Sequence, residues 1–140
     1  MTAPDEAIAT DPQVRVVLDQ TALIAYARLT GMGVAELIAM VEEDDGTSLV
    51  GIPAGQFLAA HWQLDPDEQQ RLIGLVSRPE SVTVVLPLLG GDAVEAVEIG
   101  HGMGHAVIEA RRRGALLATY DGDEARRHLA ADGVLDLMDK

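Results

Sequence analysis

Two aspartates close the two most strand-like runs in the chain. Asp19 follows "VRVVL" (14–18), and Asp121 follows "ALLATY" (115–120). Both runs are short, continuous and aliphatic, the composition of strands buried on both faces of a parallel sheet. In open α/β sheets, sites form beyond the carboxyl ends of the strands, near the switch in strand order. Two carboxylates at such ends would converge on one lip of the sheet. A pair placed there suits a hard divalent cation, because Mg2+ takes one or two protein carboxylates and keeps several waters. The ion could activate water and stabilise charge on a phosphoryl group. A plainer role is equally open, since Asp is a preferred N-cap and each could start the helix that follows.

Other chemistry is thinner. His101 and His105 are four apart and would share a helix face, a spacing that can bind a metal and that favours Zn2+ or Mn2+ over Mg2+. Gly100, Gly102 and Gly104 weaken a regular helix there, so cap and surface histidines are the simpler reading. "GHGMGHA" follows a helix, and a phosphate-cradling loop needs strand–turn–helix context. There is no cysteine, hence no disulfide and no thiolate site. No Ser–His–Asp order stands out either. Arg111–Arg113 and Arg126–Arg127 could meet phosphate, but basic runs of this kind usually make a solvated helix face. His61 reads as a surface residue and Trp62 as a packed one.

The elements that must position the two acids alternate along the chain. After the strand at 14–18, a helix from Thr21 runs to the break at "TGMG" (30–33). Val34, Leu37, Ile38 and Val41 mark an amphipathic second helix. "SLVGIP" (48–53) is a strand, and Phe57, Leu58 and Trp62 face one side of the helix after it. Asp65, Pro66 and Glu68 form a capping-box start. "SVTVVLPL" (81–88) is a third strand, followed by a helix over 90–100 capped by Asp92 and another over 103–114 stopped by Gly114. A fourth strand spans 115–121, a short helix 122–133 and a fifth strand 134–138. Such alternation predicts an α/β fold: a three-layer α/β/α sandwich with a central parallel sheet. The expected organisation is a loose acidic tail over 1–13 and a single domain over 14–140.

Composition narrows the function classes. The formal net charge is −13, which repels polyanions at long range. No apolar run reaches the roughly 18 residues of a membrane span. The start of the chain lacks a charged-then-apolar signal pattern. A cytoplasmic protein with no membrane partner is expected.

At this point the residues resemble a family. "VVLDQTALIAY" (16–26) is similar to the opening of PIN domains, the fold of VapC-type toxins and related nucleases. "RRRGALLATYD" (111–121) resembles their closing motif, and "GIPAGQFLAAHW" (51–62) their middle segment without its acid. The likeness spans residues 14 to about 138. It implies a PIN-like fold and a ribonuclease that holds Mg2+ or Mn2+ with four acids and cuts single-stranded RNA. By position, Asp19 would be the first acid and Asp121 the last, with Thr21 and Thr119 as hydroxyls orienting ligands and Asp123 and Glu124 as supplementary acids. The second acid should lie near Ala59 and the third near Met103, where Glu98 and His101 are the nearest substitutes.

Two function readings follow. One is a VapC-like metal-dependent endoribonuclease, weakened by the loss of two of four carboxylates. The other is a catalytically inactive PIN-like pseudo-nuclease that serves as a dimeric binding or regulatory module. The resemblance also implies a homodimer and a small antitoxin-like protein partner. The faces Leu23/Ala27 and Val34/Leu37/Ile38/Val41 are candidate contact surfaces. A response-regulator-like receiver also places Asp at strand ends, but it needs a late Lys, and the one Lys here is the terminal Lys140.

Overall fold

The computed structural model describes residues 12–44, 46–78, 81–100 and 102–137. The expected tail lies almost wholly outside the described residues, as do His101 and Met138. The chain runs β1 (Gln13–Leu18), α1 (Gln20–Arg28), α2 (Gly33–Glu43), β2 (Ser48–Pro53), α3 (Ala54–His61), α4 (Pro66–Ser77), β3 (Thr83–Leu86), α5 (Gly90–Ile99), α6 (Gly104–Arg113), β4 (Leu116–Thr119), α7 (Gly122–Ala125), a 3-10 turn (Ala131–Gly133) and β5 (Val134–Asp136). The five strands form one sheet in the order β3-β2-β1-β4-β5, and every neighbouring pair is parallel. The order reverses between β1 and its neighbours, which places the switch point beside the ends of β1 and β4.

Helices cover both faces, as the alternating pattern predicts. Val16 and Leu18 of β1 enter one core with Ala22 and Leu23 of α1, Val34 and Ile38 of α2, and Leu72 and Leu75 of α4. Val14 and Val17 enter the other, with Met103 and with Ala106, Val107 and Ala110 of α6. The face switches out of strict alternation between Val14 and Val16, where the register against β2 also shifts, the mark of a bulge.

Several boundaries differ from the sequence expectations for identifiable reasons. The capping box at Asp65 and Glu68 forms in full. Asp92 does not cap its helix: α5 begins at Gly90 after Leu89, and Asp92 pairs with Arg112 at 2.7 Å. The helix expected over 122–133 is one turn, Gly122–Ala125, followed by turns. The apolar faces expected to be contact surfaces are core instead, with Leu23 and Ala27 fully buried and Val34 and Ile38 nearly so. Trp62, expected to pack, is 78% exposed and meets only the edge of the His61 ring among the described aromatic pairs.

Candidate functional site at the strand ends

β1 and β4 run side by side with Leu18 opposite Ala118, so Asp19 and Thr119 emerge level with each other. Asp19 N-caps α1: its Oδ1 accepts from the Ala22 N–H at 3.0 Å and from the Thr21 hydroxyl at 2.6 Å. Its Oδ2 accepts from the Thr119 hydroxyl at 2.5 Å. Asp19 is 0% exposed. Burial pushes its carboxyl pKa above the usual 3.8, with the bonds from Thr119, Thr21 and Ala22 pulling the other way. Both threonine protons point at the carboxylate. Their oxygens then accept backbone donors, Thr21 from Tyr120 N–H at 3.0 Å and Thr119 from Asp121 N–H at 2.8 Å. The 3.2 Å approach of the two hydroxyl oxygens follows from this shared target.

Asp121 lies at the same lip but is tied to this centre through its backbone. Its side chain is exposed and caps α7, accepting from Glu124 N–H at 3.4 Å. Asp123 points into solvent and pairs with Arg126 at 3.0 Å. Glu124 meets His128 at 2.9 Å and Arg127 at 3.5 Å. Glu98 stands exposed on α5. Ala59 is half-buried on α3, and Met103 is sealed in the core at the start of α6.

Neutral amides fill the neighbourhood of the missing acids. The side chain that reaches α1 from α3 is Gln56, not residue 59. Its Oε1 accepts from the Gln20 backbone N–H at 2.7 Å, while Gln63 Nε2 donates to Gln20 Oε1 at 3.1 Å. Gln56 thereby satisfies one of the N–H groups that a helix start leaves unpaired. Gly102, at φ +73, passes so close to Gln20 that any side chain there would strike the Gln20 amide. A sequence signal for Gln56 existed: it sits in the first turn after β2, where side chains tilt back toward the helix start.

Beside this amide group, His105 is buried on α6 and accepts from Gly55 N–H through Nδ1 at 3.1 Å. Its Nε2 therefore carries the proton and donates to Glu109 at 3.2 Å. Glu109 is buried and also holds Arg113 at 2.9 Å and Arg112 at 3.3 Å. The arginine run thus serves internal pairing; Arg126 likewise joins Asp136 at 2.8 Å. Among the described residues, no three His, Asp or Glu side chains gather as a metal set.

Among solved structures, the chain is similar to VapBC2 from Rickettsia felis bound to a DNA fragment from their promoter, with a TM-score of 0.63 over 88% of this chain and 96% of that one. The fold is PIN-like. Sequence identity is 9%, so the likeness is one of fold. No protein-family model and no curated protein matches the chain. β1 and β4 bring the side chains of Asp19, Thr21 and Thr119 together, with the Asp121 backbone N–H on Thr119. No described helix is long and apolar enough to cross a membrane.

Proposed function

We propose that this chain is a degenerate PIN-like protein of the toxin–antitoxin kind that acts by binding other protein chains, its former nuclease centre serving as a hydrogen-bonded cap. The observation that carries this reading is the engagement of Asp19. Its two oxygens are met by Thr21, Ala22 and Thr119, all donors, and no face of it meets water. A hard cation needs carboxylate lone pairs beside an aqueous space. One shielded carboxylate, two hydroxyls already committed and the neutral amides of Gln20, Gln56 and Gln63 nearby do not fit Mg2+ or Mn2+. The charge of −13 adds to this, because RNA affinity rests on cationic contacts.

A binding role has surface to support it. None of the residues of α5 is buried, and Val94 and Val97 stand strongly exposed on it, a face suited to the homodimer that the resemblance implies. The similar structure is itself a VapBC assembly, which favours a partner of antitoxin type. The weakened-nuclease reading keeps one supporting feature: Asp19, Thr21 and Thr119 meet at one lip, and the Asp121 backbone joins them through its N–H. A fluorogenic single-stranded RNA, assayed with Mg2+ or Mn2+, separates the two. Wild type and Asp19→Asn should give the same background rate. Turnover that disappears in both Asp19→Asn and Asp121→Asn overturns the binding reading.

A further inference from the structure

The helices do not cover the sheet evenly. α6 packs across β1, β2 and β4, and α5 packs on α6. The helix that packs on β3 is α4, whose Leu72 and Leu75 belong to the opposite core. Beside α6, a groove of about 510 Å³ follows the β3 edge. Its apolar walls include Val14 of β1, Leu49 of β2, and Val84, Val85 and Leu86 of β3. Val14 and Leu86 belong to the core on the α6 side, with Leu49 and Val84 packed on it, so the groove opens on that face. Gly51 deepens the floor. A Cβ there would meet Leu86 Cδ1 at 2.7 Å and Val14 Cγ1 at 2.9 Å, so both side chains lie low across the strand. Pro53 stands opposite Leu86, so from Leu49 to that level the groove follows about 13 Å of strand. Its volume falls within the range of small-molecule sites, about 300 to 1,000 Å³.

A single charge enters this apolar space. Among the described residues that line it, Arg113 is the charged one and Gln13 the other polar one. Glu109 Oε1 holds the Arg113 Nε at 2.9 Å. Among the described residues, the two terminal nitrogens of Arg113 have no partner. Glu109 is buried and shared with His105 and Arg112, and Arg112 also reaches Asp92. The guanidinium is therefore anchored by its Nε edge, with its outer pair of donors left over. Two parallel N–H donors match the two oxygens of a carboxylate. An apolar trough with one such fork fits a molecule that joins an aliphatic chain to a single carboxylate. The net charge of −13 opposes an anion at long range, but salt screens that field beyond about 10 Å.

We propose that this groove binds an aliphatic carboxylate, with the chain along β3 and the head on Arg113. The site lies at the β3 edge, away from Asp19, and is independent of the binding reading above. The test is an amide NMR titration of the isotope-labelled full chain with octanoate, octanol and acetate. Octanoate should shift Leu49 and Val84–Leu86 and saturate with one-to-one stoichiometry. It should bind at least about tenfold more tightly than octanol, the scale of a charge-assisted pair, and acetate should not bind. Arg113→Met, checked by circular dichroism for an unchanged fold, should erase the preference for octanoate over octanol. Arg113→Lys keeps a cation beside Glu109 but lacks the fork, and should weaken octanoate while leaving octanol unchanged. It decides the matter if Arg113→Met does not fold. Equal binding of octanol to wild type overturns the proposal, as do shifts that never saturate or that fall elsewhere. Octanoate binding indifferent to both Arg113 variants does the same. A dimer, seen by sedimentation, that Val85→Gln dissolves also overturns it, since that gives the groove to a second copy.

Discussion

Asp19, set at a strand end by its motif, N-caps α1, the plainer of the two roles its sequence position left open. The motif made its place legible, along with Thr21 and Thr119, because strand ends and the hydroxyls beside them are fixed by local order. What the linear order could not show was the direction of the two hydroxyl protons, which depends on β1 and β4 being neighbours. Gln56 was missed for a related reason: it is distant in sequence from Gln20, and only the crossing of α1 and α3 brings them together. The geometry predicts a distinctive pH response. A carboxyl whose pKa is raised on folding favours the native state below its unfolded value of about 3.8. That contribution is lost as pH rises through the raised value. Asp19→Asn keeps an acceptor for the Ala22 N–H and has no such loss. Unfolding by denaturant should therefore show wild type losing stability relative to Asp19→Asn from acid toward neutral pH; parallel curves would contradict the burial argument. Asp19→Ala removes the cap and leaves buried donors unmatched, at a cost of about 2 to 4 kcal/mol.

α5 and α6 come closest at Gly104. Gly104 opens α6 against the Ala96 carbonyl of α5, and a Cβ there would collide with that backbone. Ion pairs from Arg112 to Asp92 and Arg111 to Glu95 tie the same two helices from outside. Gly104→Ala should force α5 outward and cost about 1 to 3 kcal/mol, read as a lower denaturant midpoint. An unchanged midpoint would mean that α5 is not held at this contact. Elements with strong local signals were legible: β2 falls at Ser48–Pro53 as its apolar run implies, and Asp65 starts α4 with its full capping box. Asp92 was misread as a cap because its acid suits a helix start and equally suits Arg112, a residue only tertiary structure delivers. Trp62 was misread because a large aromatic on an apolar helix usually packs, yet α3 turns it outward.

At the scale of the molecule, the alternation of strands and helices was enough to predict the layered architecture, since parallel strands need crossovers that cover both faces. The surface was less legible. The apolar stripes expected to meet partners line one of the two cores, and the side chains left exposed, Leu29, Met32 and Met40 at one corner and Val94 and Val97 on α5, are set by which faces the core consumed. The chain is thus a PIN-like frame in which Asp19 at the strand ends is held by hydrogen bonds and the outer helices expose apolar side chains. The most direct test of that account is the unfolding midpoint of the wild-type protein as Mn2+ is titrated. An ion at a hundred times its dissociation constant would add about 2.7 kcal/mol to stability. The account predicts a flat curve for wild type and for Asp19→Asn alike. A rise that Asp19→Asn and Asp121→Asn both abolish would show a working metal centre at the lip and contradict it.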